Sequence, residues 1–244
     1  MLIINADDFG STRTATDRII VCYQQASITS TSAMVFMEDS ERAAELAKEI
    51  NIDAGLHLNF TQPFETRRCA SNLREKHGQI ASFLAKSKFA QLVFHPGLRQ
   101  QFDYVFHAQL EEYLIRFGKM PSHFDGHHHM HLCSNMLLGQ IIPGGAKIRQ
   151  SFSFLSGQKG IMNRGYRWLV NRWVRRMYRA PDFLFALPDC LKIEKSWDRV
   201  IALALQANVE LETHPEEPAE LEWLLSDECI QMRALVKTGS YAEL

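Results

Sequence analysis

The 244-residue sequence predicts an α/β fold, a distorted or incomplete (β/α) barrel that forms a single domain over residues 1–244. Short apolar runs alternate with segments of helical spacing, which is the pattern of βαβ units around a parallel sheet. Six or seven such units fit this chain length, and no linker or internal repeat interrupts them. Acids and histidines also gather where the predicted strands end, which is the active-site face of a barrel. A doubly wound sheet is the alternative fold.

The individual elements follow from residue type and spacing. Runs rich in β-branched and aromatic residues predict the strands, and apolar residues three or four positions apart predict the helices. The predicted strands cover residues 2–6, 28–36, 53–59, 122–127, 146–150, 183–187 and 209–213. The predicted helices cover residues 14–26, 40–50, 98–117, 163–178 and 197–206. Residues 60–96 are interpreted as a long variable stretch.

Composition disfavours several classes of protein. The chain has 27 Lys and Arg residues against 28 Asp and Glu residues, so it has no general positive field for holding nucleic acid. No run approaches the roughly 20 apolar residues of a membrane-spanning helix, and the first residues lack the basic start of a secretory peptide. The five cysteines are scattered and never spaced as CxxC, which predicts reduced, buried side chains. We therefore expect a cytoplasmic protein without nucleic-acid partners.

The polar residues at the strand ends carry the functional signal. Asp7 and Asp8 follow the first predicted strand, and His57 closes the third. Residues 121–131 hold five of the ten histidines, and residues 210–214 place two glutamates and a histidine on one face. The carboxyl ends of parallel strands meet at one rim, so these side chains are expected to lie close together. Mixed carboxylate and imidazole groups suit a divalent cation.

Each of these residues taken singly has a simpler interpretation. An Asp-Asp pair is more often a solvated turn or a helix N-cap than a catalytic pair, and a lone histidine such as His57 is more often structural. A turn after Gly126 would direct only the earlier histidines of its segment into a site. His77, His95 and His107 lie away from the strand ends and are interpreted as surface or packing residues. The four strand ends together favour a metal site.

Five motifs give the sequence a family resemblance. They are Asn5-Ala6-Asp7-Asp8-Phe9-Gly10, Thr29-Ser30-Thr31, Gly55-Leu56-His57-Leu58-Asn59, Asp125-Gly126-His127-His128-His129-Met130-His131 and Glu210-Leu211-Glu212-Thr213-His214-Pro215. In order and spacing they resemble the YdjC-like carbohydrate deacetylases, which include chitooligosaccharide deacetylases and hopanoid-biosynthesis-associated deacetylases. The motifs run from residue 5 to residue 215, so the resemblance covers nearly the whole chain.

The resemblance implies a distorted (β/α) barrel and the metal-dependent removal of acetyl from an N-acetyl amino sugar. Carried over by motif, the metal ligands are one aspartate of the pair, taken as Asp8, with His57 and His127. Two imidazoles and a carboxylate favour Zn²⁺ by affinity, whereas the family resemblance leaves Mg²⁺ open. Two departures from the family pattern concern substrate fit. Glu216 stands where glycine is common, and residues 132–146 form a shorter segment than the helix expected there.

The proposed roles follow from the chemistry of amide hydrolysis. Asp7 is the predicted general base and His214 the predicted general acid for the leaving nitrogen, although Asp7 and Asp8 could exchange roles. Asp125 is predicted to orient an imidazole through its other ring nitrogen. The further candidates for supporting the ligands or contacting substrate are Asn59, His129, His131, Arg149 and Glu210.

Two other functions stay open at this point. A non-catalytic, metal-containing glycan-binding protein would keep the same ligands, and another metal-dependent hydrolase would use the same barrel. A phosphoesterase usually needs two metals, and a sugar isomerase needs a lysine or paired acids. Only Lys147 stands near a predicted strand end, which disfavours both of these enzymes. The acid, base and ligand positions all hold competent residues, which disfavours a silent binding module.

One predicted helix is strongly basic. It contains no acid between residues 164 and 179, and its six arginines are Arg164, Arg167, Arg172, Arg175, Arg176 and Arg179. One interpretation is a surface helix whose aromatic residues pack on the barrel and whose arginines are solvated. The other is a basic aromatic rim that receives an anionic glycan, or that contacts an anionic membrane surface carrying a lipid-linked sugar. The second interpretation would place the protein at the inner face of the membrane.

Overall fold

The computed structural model describes residues 1–65, 67, 69–154, 160–193 and 196–244. Among these residues the strands are β1 (Leu2–Phe9), β2 (Ser30–Ala33), β3 (Ala54–Leu58), β4 (Phe124–Gly126), β5 (Phe183–Ala186) and β6 (Val209–Thr213). All pairings are parallel, in the order β4-β3-β2-β1-β6-β5. Strands that follow one another in the chain are mostly neighbours, and the last strand pairs with the first, which is the neighbour relation of a barrel. The predicted incomplete (β/α) barrel is confirmed.

Helices cover the outside of the sheet. They are α1 (Arg13–Gln24), α2 (Ser40–Ile50), α3 (Ser71–Ala85), α4 (Arg99–Phe117), α5 (Ser134–Gly139), α6 (Ile161–Met177), α7 (Leu187–Lys192), α8 (Ser196–Ala204), α9 (Pro218–Leu224) and α10 (Asp227–Ala234). Short 3-10 turns lie at Ala90–Leu92, Pro96–Leu98, His127–Leu132 and Tyr241–Glu243. None of the helices that the structure describes is both long enough and apolar enough to cross a bilayer.

The two faces of the sheet differ in polarity. In β1, Leu2, Ile4 and Ala6 belong to the hydrophobic core formed with the helices. Because side chains alternate along a strand, Asn5 and Asp7 point to the opposite face, toward the barrel interior. The interior of this barrel is therefore lined by buried polar residues, namely Asn5, Asp7, Ser32, His57, Asp125, Glu210 and Glu212. Such an interior is expensive to desolvate, so each polar group needs a partner.

The sheet is open between β4 and β5, and residues 147–153 pass from one edge to the other. Ile148 forms an isolated bridge with Phe124 of β4, and the Ser153 backbone N–H donates to the Leu184 carbonyl of β5 at 2.8 Å. The predicted strand over residues 146–150 is wrong, because this segment pairs only through isolated bridges. Its path nevertheless fixes the site, since it carries Arg149 into the barrel interior.

Other differences from the sequence prediction are local. The stretch interpreted as variable contains α3, whose buried positions are Leu73, His77, Ile80 and Leu84. The strand predicted over residues 28–36 is only four residues long, and residues 122–127 contribute only the three of β4. The short segment after the histidine cluster holds the six-residue helix α5.

Candidate active site

Three side chains from the predicted ligand set meet at the mouth of the barrel. The Asp8 Oδ1 atom lies 3.3 Å from His57 Nε2 and 3.1 Å from His127 Nδ1. His57 is buried in β3, whereas Asp8 and His127 are partly open to solvent. Burial raises the pKa of the Asp8 carboxyl, but hydrogen bonds from His127 and His57 outweigh it and hold that pKa well below its usual value. The cluster is therefore an anionic oxygen facing two imidazole nitrogens.

An irregular backbone brings both aspartates to the same imidazole. Adjacent residues of a regular strand point to opposite faces, yet His57 Nε2 lies 3.9 Å from Asp7 Oδ2 as well as 3.3 Å from Asp8 Oδ1. The register of β1 against β2 shifts between Ala6 and Phe9, and Asp8 has a φ of +66°. A bulge with a non-glycine residue in the left-handed region costs free energy and is common at functional sites. Here it places two neighbouring carboxylates at one rim.

The histidine segment turns by the same means. It forms a 3-10 turn after β4, and both His128 and His129 have left-handed φ values, 54° and 57°. This turn leaves His127 at the cluster. It directs His131 into the interior, where its Nε2 atom lies 3.0 Å from the Arg149 carbonyl oxygen. His131 is therefore buried next to the Arg149 backbone, while His127 is the histidine of this segment in the cluster.

A single buried arginine, Arg149, holds the carboxylates of the interior together. Its guanidinium donates two hydrogen bonds to Asp7, at 2.5 and 2.7 Å, and one to Glu210 at 2.8 Å. It also lies 3.0 Å from Asp125 and 3.4 Å from Glu212. A bidentate arginine–carboxylate pair fixes the orientation of the carboxylate. The sequence indicated Arg149 only as a supporting candidate, whereas the structure places it at the centre of the network.

One cation does not neutralise four buried acids, and the carboxyl pKa values diverge accordingly. Burial raises the pKa of Asp125, but Arg149 and His57 outweigh it, so that pKa lies well below its usual value. Burial raises the pKa of Glu210 to about 7 despite Arg149. It also raises the pKa of Glu212 well above its usual value. The glutamates thus tend to hold protons while Asp125 stays ionised.

Asp125 and His57 form a carboxylate–imidazole pair. Their Oδ1 and Nδ1 atoms lie 2.9 Å apart, and the two residues face each other in the register of β4 against β3. Burial lowers the pKa of His57, but Asp125 and Asp7 raise it more, so it lies well above its usual value. A carboxylate on one ring nitrogen orients the other, which here leaves Nε2 facing Asp8.

His214 lies next to Asp7. Its Nε2 atom lies 4.0 Å from Asp7 Oδ2, and its Nδ1 atom lies 3.8 Å from Glu220 Oε1. The side chain is 33% exposed, so solvent can exchange its proton. Glu220, which the sequence did not indicate, is buried and accepts a hydrogen bond from the His214 backbone N–H at 2.8 Å.

The other predicted candidates divide into two groups. His129 reaches the site, with its Nε2 atom 3.5 Å from Glu212 Oε2. Asn59 serves the loop after β3 instead. Its Oδ1 atom accepts from the backbone of Thr61 and Gln62, and its amide donates to the Gln62 carbonyl. Among the described residues, Asn59 therefore has a role in turn formation and no hydrogen bond to the acidic network.

Asn5, Ser32 and Tyr241 complete the network, although the sequence predicted none of them as site residues. The Asn5 amide donates to Asp7 Oδ1 at 2.9 Å and to Ser32 Oγ at 2.7 Å. The Ser32 hydroxyl donates to Asp125 Oδ2 at 2.6 Å, and the Tyr241 hydroxyl donates to Glu210. Asn5 could have been found, since it lies two residues before Asp7 and thus on the same strand face.

The Asp8–His57–His127 cluster fits a divalent cation. Its two nitrogens and one oxygen lie within 4.8 Å of one another, and they come from three separate elements. Two other groups meet the same distance, Asp7–His57–Asp125 and Asp7–Glu212–His214. Both include Asp7, whose two oxygens already accept hydrogen bonds from Arg149. The first group is the one of the three without Asp7, and its three protein ligands would leave positions open for water and substrate.

Comparison with known proteins agrees with the motifs. A family model of YdjC-like proteins matches residues 1–234. The chain belongs to the YdjC-like family.

Two named relatives show how far the similarity extends. The YdjC-like chain is 32% identical to the chitooligosaccharide deacetylase of Proteus mirabilis over 133 residues, which cover 54% of this chain and 50% of that protein. It is 34% identical to the carbohydrate deacetylase of Clostridium beijerinckii over 131 residues, which cover 53% of this chain and 50% of that protein. The chain thus spans about half the length of the relatives it matches.

A solved structure matches the YdjC-like chain over its whole length. It is a protein from Enterococcus faecalis V583, named as a cellobiose-phosphate cleavage protein. The TM-score is 0.66 over 99% of this chain and 97% of that chain, at 19% identity. At this identity the likeness shows the fold alone.

Proposed function

We propose that this chain is a metal-dependent deacetylase domain, spanning residues 1–244, that hydrolyses the N-acetyl group of an amino sugar to a free amine and acetate. The observation that carries the proposal is the pairing of two features at one rim. Asp8, His57 and His127 form a cluster with the geometry of a metal site. Asp7 lies beside it and accepts two hydrogen bonds from Arg149. Membership of the YdjC-like family and the deacetylase relatives support the reaction class.

Asp8, His57 and His127 would hold the cation. A divalent metal held there would supply polarisation of the acetyl carbonyl and a lower pKa for bound water, and both Zn²⁺ and Mg²⁺ are compatible with the donor set. Asp125 keeps the His57 ring in the orientation that presents Nε2 to the cluster. Asp8 is the better ligand of the aspartate pair, because Arg149 leaves Asp7 few free lone pairs.

The chain's own groups move the protons. Water adds to the acetyl carbonyl carbon while Asp7 accepts its proton. The bond between carbon and nitrogen then breaks as His214 donates a proton to the leaving nitrogen, which yields the amine and acetate. Arg149 fixes the Asp7 carboxylate for the first transfer. The exposed edge of His214 allows its proton to be replaced from solvent.

A cavity beside the cluster is the proposed sugar site. It has a volume of about 550 Å³ and is lined by His128 and His129 together with the aromatic rings of Phe89, Phe152 and Tyr166. Its size is typical of small-molecule sites, and aromatic faces combined with a few polar groups suit a pyranose ring. We name it the sugar cavity.

Acetate release from N-acetylated chitooligosaccharides, measured with and without a chelator, tests the proposal. We expect release that the chelator abolishes and that added Zn²⁺ or Mg²⁺ restores. His57→Ala and His127→Ala should each lose bound metal and at least roughly 100-fold in activity while the fold is retained. His107→Ala is the matched control, because His107 lies on α4 with its side chain 63% exposed. Sugar binding without acetate release would instead indicate a glycan-binding protein, and full metal content in both variants would contradict the ligand assignment.

A further inference from the structure

Two more cavities follow the sugar cavity around α6, and each is lined by a different face of that helix. The second has a volume of about 510 Å³ and shares Phe152 and Arg167 with the sugar cavity. The third has a volume of about 460 Å³ and shares Arg172 with the second. A single ligand that begins in the sugar cavity could therefore pass into the second at Phe152 and Arg167, and would reach the third by wrapping around α6 at Arg172. We call the second the arginine cavity and the third the apolar cavity.

The arginine cavity concentrates positive charge. Its lining includes Arg164, Arg167, Arg172, Arg175 and Arg199, with Asp182 as the acid among the lining residues. Across the part of the chain that the structure describes, no carboxylate lies within 4.0 Å of any of these five guanidinium groups. Arg175 instead donates to the Asp182 carbonyl oxygen and to Gln150. Clustered like charges destabilise a surface unless an anion is supplied from outside.

Aromatic rings hold several of these arginines in place. The Arg167 guanidinium carbon lies 4.9 Å from the ring centroid of Phe154 and 5.5 Å from that of Phe152. The Arg172 guanidinium carbon lies 5.8 Å from the ring of Trp168. The Arg167 Nε atom already donates to Asn163 Oδ1 at 3.1 Å. Stacking leaves the other N–H groups of a guanidinium edge for a ligand, and these match the oxygens of a phosphate. The cavity is therefore arranged for phosphate oxygens rather than for a diffuse negative field.

The apolar cavity combines apolar with basic side chains. Leu169, Trp173 and Met177 line it together with Gln140, Arg172 and Arg176, and Leu169 remains 59% exposed. At the start of the same helix, Ile161 and Met162 are 88% and 90% exposed. Trp168 and Trp173 are also 60% and 39% exposed. The interpretation in which the aromatic residues of α6 pack on the barrel therefore does not hold for all of them. A run of exposed apolar residues on one helix indicates an apolar partner.

We propose that the substrate is an amino sugar carried on a lipid diphosphate. The sugar occupies the sugar cavity, the diphosphate occupies the arginine cavity, and the first part of the hydrocarbon chain lies along the apolar cavity. The order of the three cavities matches the order of the three chemical parts. A diphosphate presents more anionic oxygens than a single phosphate, which suits five guanidinium groups that have no carboxylate partner among the described residues. The inference rests on the proposed deacetylase function.

Calorimetric titration with inorganic pyrophosphate tests the arginine cavity without any turnover. We expect binding that weakens as salt is raised, because the contacts are ionic. Arg172→Gln and Arg199→Gln should each weaken binding by about 10-fold, the loss expected for one hydrogen bond to a charged group. Arg179→Gln is the matched control, since Arg179 is exposed but lines none of the three cavities. Undetectable binding, or equal binding by the variants and the control, would overturn the site.

Three substrates then separate the sources of the phosphate. They are N-acetylglucosamine on a short polyprenyl diphosphate, N-acetylglucosamine 1-phosphate and a neutral chitooligosaccharide. We expect the highest kcat/KM for the lipid diphosphate, and a drop of about 10-fold on it for Arg172→Gln but not for Arg179→Gln. An equal kcat/KM for the 1-phosphate would overturn the lipid part of the proposal, and a preference for the neutral sugar would overturn all of it.

A vesicle-binding experiment tests a membrane surface as the alternative partner of the arginines. Co-sedimentation with phosphatidylglycerol vesicles that depends on Arg172 and Arg199, and that pyrophosphate fails to displace, would overturn the diphosphate site. Displacement by pyrophosphate is the expected result. Pyrophosphate binding without deacetylation of any substrate would refute the proposed function while leaving the anion site in place, so the two failures are distinguishable.

Discussion

Arginine is used in two opposite ways in this molecule. Arg149 is fully buried and lies within 3.4 Å of four carboxyl groups from three different strands. The arginines of the arginine cavity come from α6 and α8, lie nearer the surface and face no carboxylate within 4.0 Å among the described residues. The first charge is already neutralised by the chain, so it can only position its neighbours. The charges of the second group are not neutralised in this way, so they are available to a ligand.

The comparison explains why the two regions differ in what they can do. A paired, desolvated charge is costly to disturb, because removal of one partner leaves the others buried without compensation. An exposed, unpaired charge is cheap to remove, because water replaces whatever it contacted. We therefore expect substitutions in the Arg149 network to change folding and catalysis together. Substitutions in the arginine cavity should change ligand binding alone.

The largest effect is expected for Arg149→Met. This substitution keeps much of the side-chain volume but leaves four buried acids without their cation. Breaking a buried ion pair in this way typically costs about 3–5 kcal/mol of unfolding free energy. The loss should shrink as the pH falls, because protonated carboxyls no longer need the cation. Urea unfolding at several pH values measures it.

Arg116→Met is the matched control for that experiment. Arg116 pairs with Glu112 at 2.7 Å and with Glu41 at 2.8 Å, and all three side chains remain partly open to solvent. Surface ion pairs contribute at most about 1 kcal/mol. Equal losses of unfolding free energy for the two variants would mean that the Arg149 network contributes no more than a partly exposed ion pair. The contrast between buried and exposed arginines would then be wrong.

The second effect concerns catalysis within the Arg149 network. Asp7→Asn should retain bound metal and lower kcat by roughly 10²–10⁴-fold, the usual contribution of a positioned proton-transfer group. Asp8→Asn should instead lose metal, because Asp8 supplies the carboxylate of the cluster. Elemental analysis and steady-state kinetics on both variants separate the roles. Metal loss in Asp7→Asn with retention in Asp8→Asn would reverse the assignment.

The sequence predicted the fold where local signals agree with tertiary packing. The helix Ser40–Ile50 and the strand Val209–Thr213 have the predicted bounds. Helix α3 was missed because one of its core positions is His77, a residue that breaks an otherwise regular row of apolar side chains. The predicted strand over residues 146–150 was wrong for a different reason. Its backbone pairs across the opening of the barrel, and no local pattern records which edges it meets.

The site was predictable to the extent that strand ends predict proximity. Asp8, His57 and His127 could be grouped because each follows or ends a strand of one parallel sheet. The role of Arg149 could not be predicted, because it depends on the path of residues 147–153 between two distant strand edges. Tyr241 is a similar case, since its contact with Glu210 joins the C-terminal turn to β6 with no sequence pattern to announce it.

A third prediction compares two buried histidines, one with carboxylate neighbours and one packed against an aromatic ring. His57 is buried beside carboxylates, and its pKa is raised, whereas His77 is buried against Phe64 and its pKa is lowered to about 4 by burial. The native state therefore holds His77 neutral while the unfolded chain binds a proton below 6.5. Its contribution to stability is present above pH 6.5 and is lost as the pH falls toward 4, by about 3 kcal/mol in total.

His77→Leu should flatten that part of the pH profile of unfolding free energy, because leucine fills the site without titrating. His107→Leu is the control, since His107 is an exposed residue of α4 and should leave the slope unchanged. Urea unfolding between pH 4 and pH 7 measures both variants. An unchanged slope in His77→Leu would mean that His77 is protonated in the native state, so that burial does not set its charge.

The smallest effect on stability is expected for substitutions in the arginine cavity. Arg172→Gln and Arg199→Gln should each change unfolding free energy by no more than about 0.5 kcal/mol, because neither side chain has a carboxylate partner within 4.0 Å among the described residues. Loss of the weak contact between Arg172 and Trp168 opposes the relief of charge repulsion, so the two contributions offset each other. Thermal unfolding at low salt and at about 1 M salt separates them, since the Debye length falls to about 3 Å at 1 M. A destabilisation close to that of Arg149→Met would show that the chain itself compensates these charges, and an outside anion would no longer be needed to explain them.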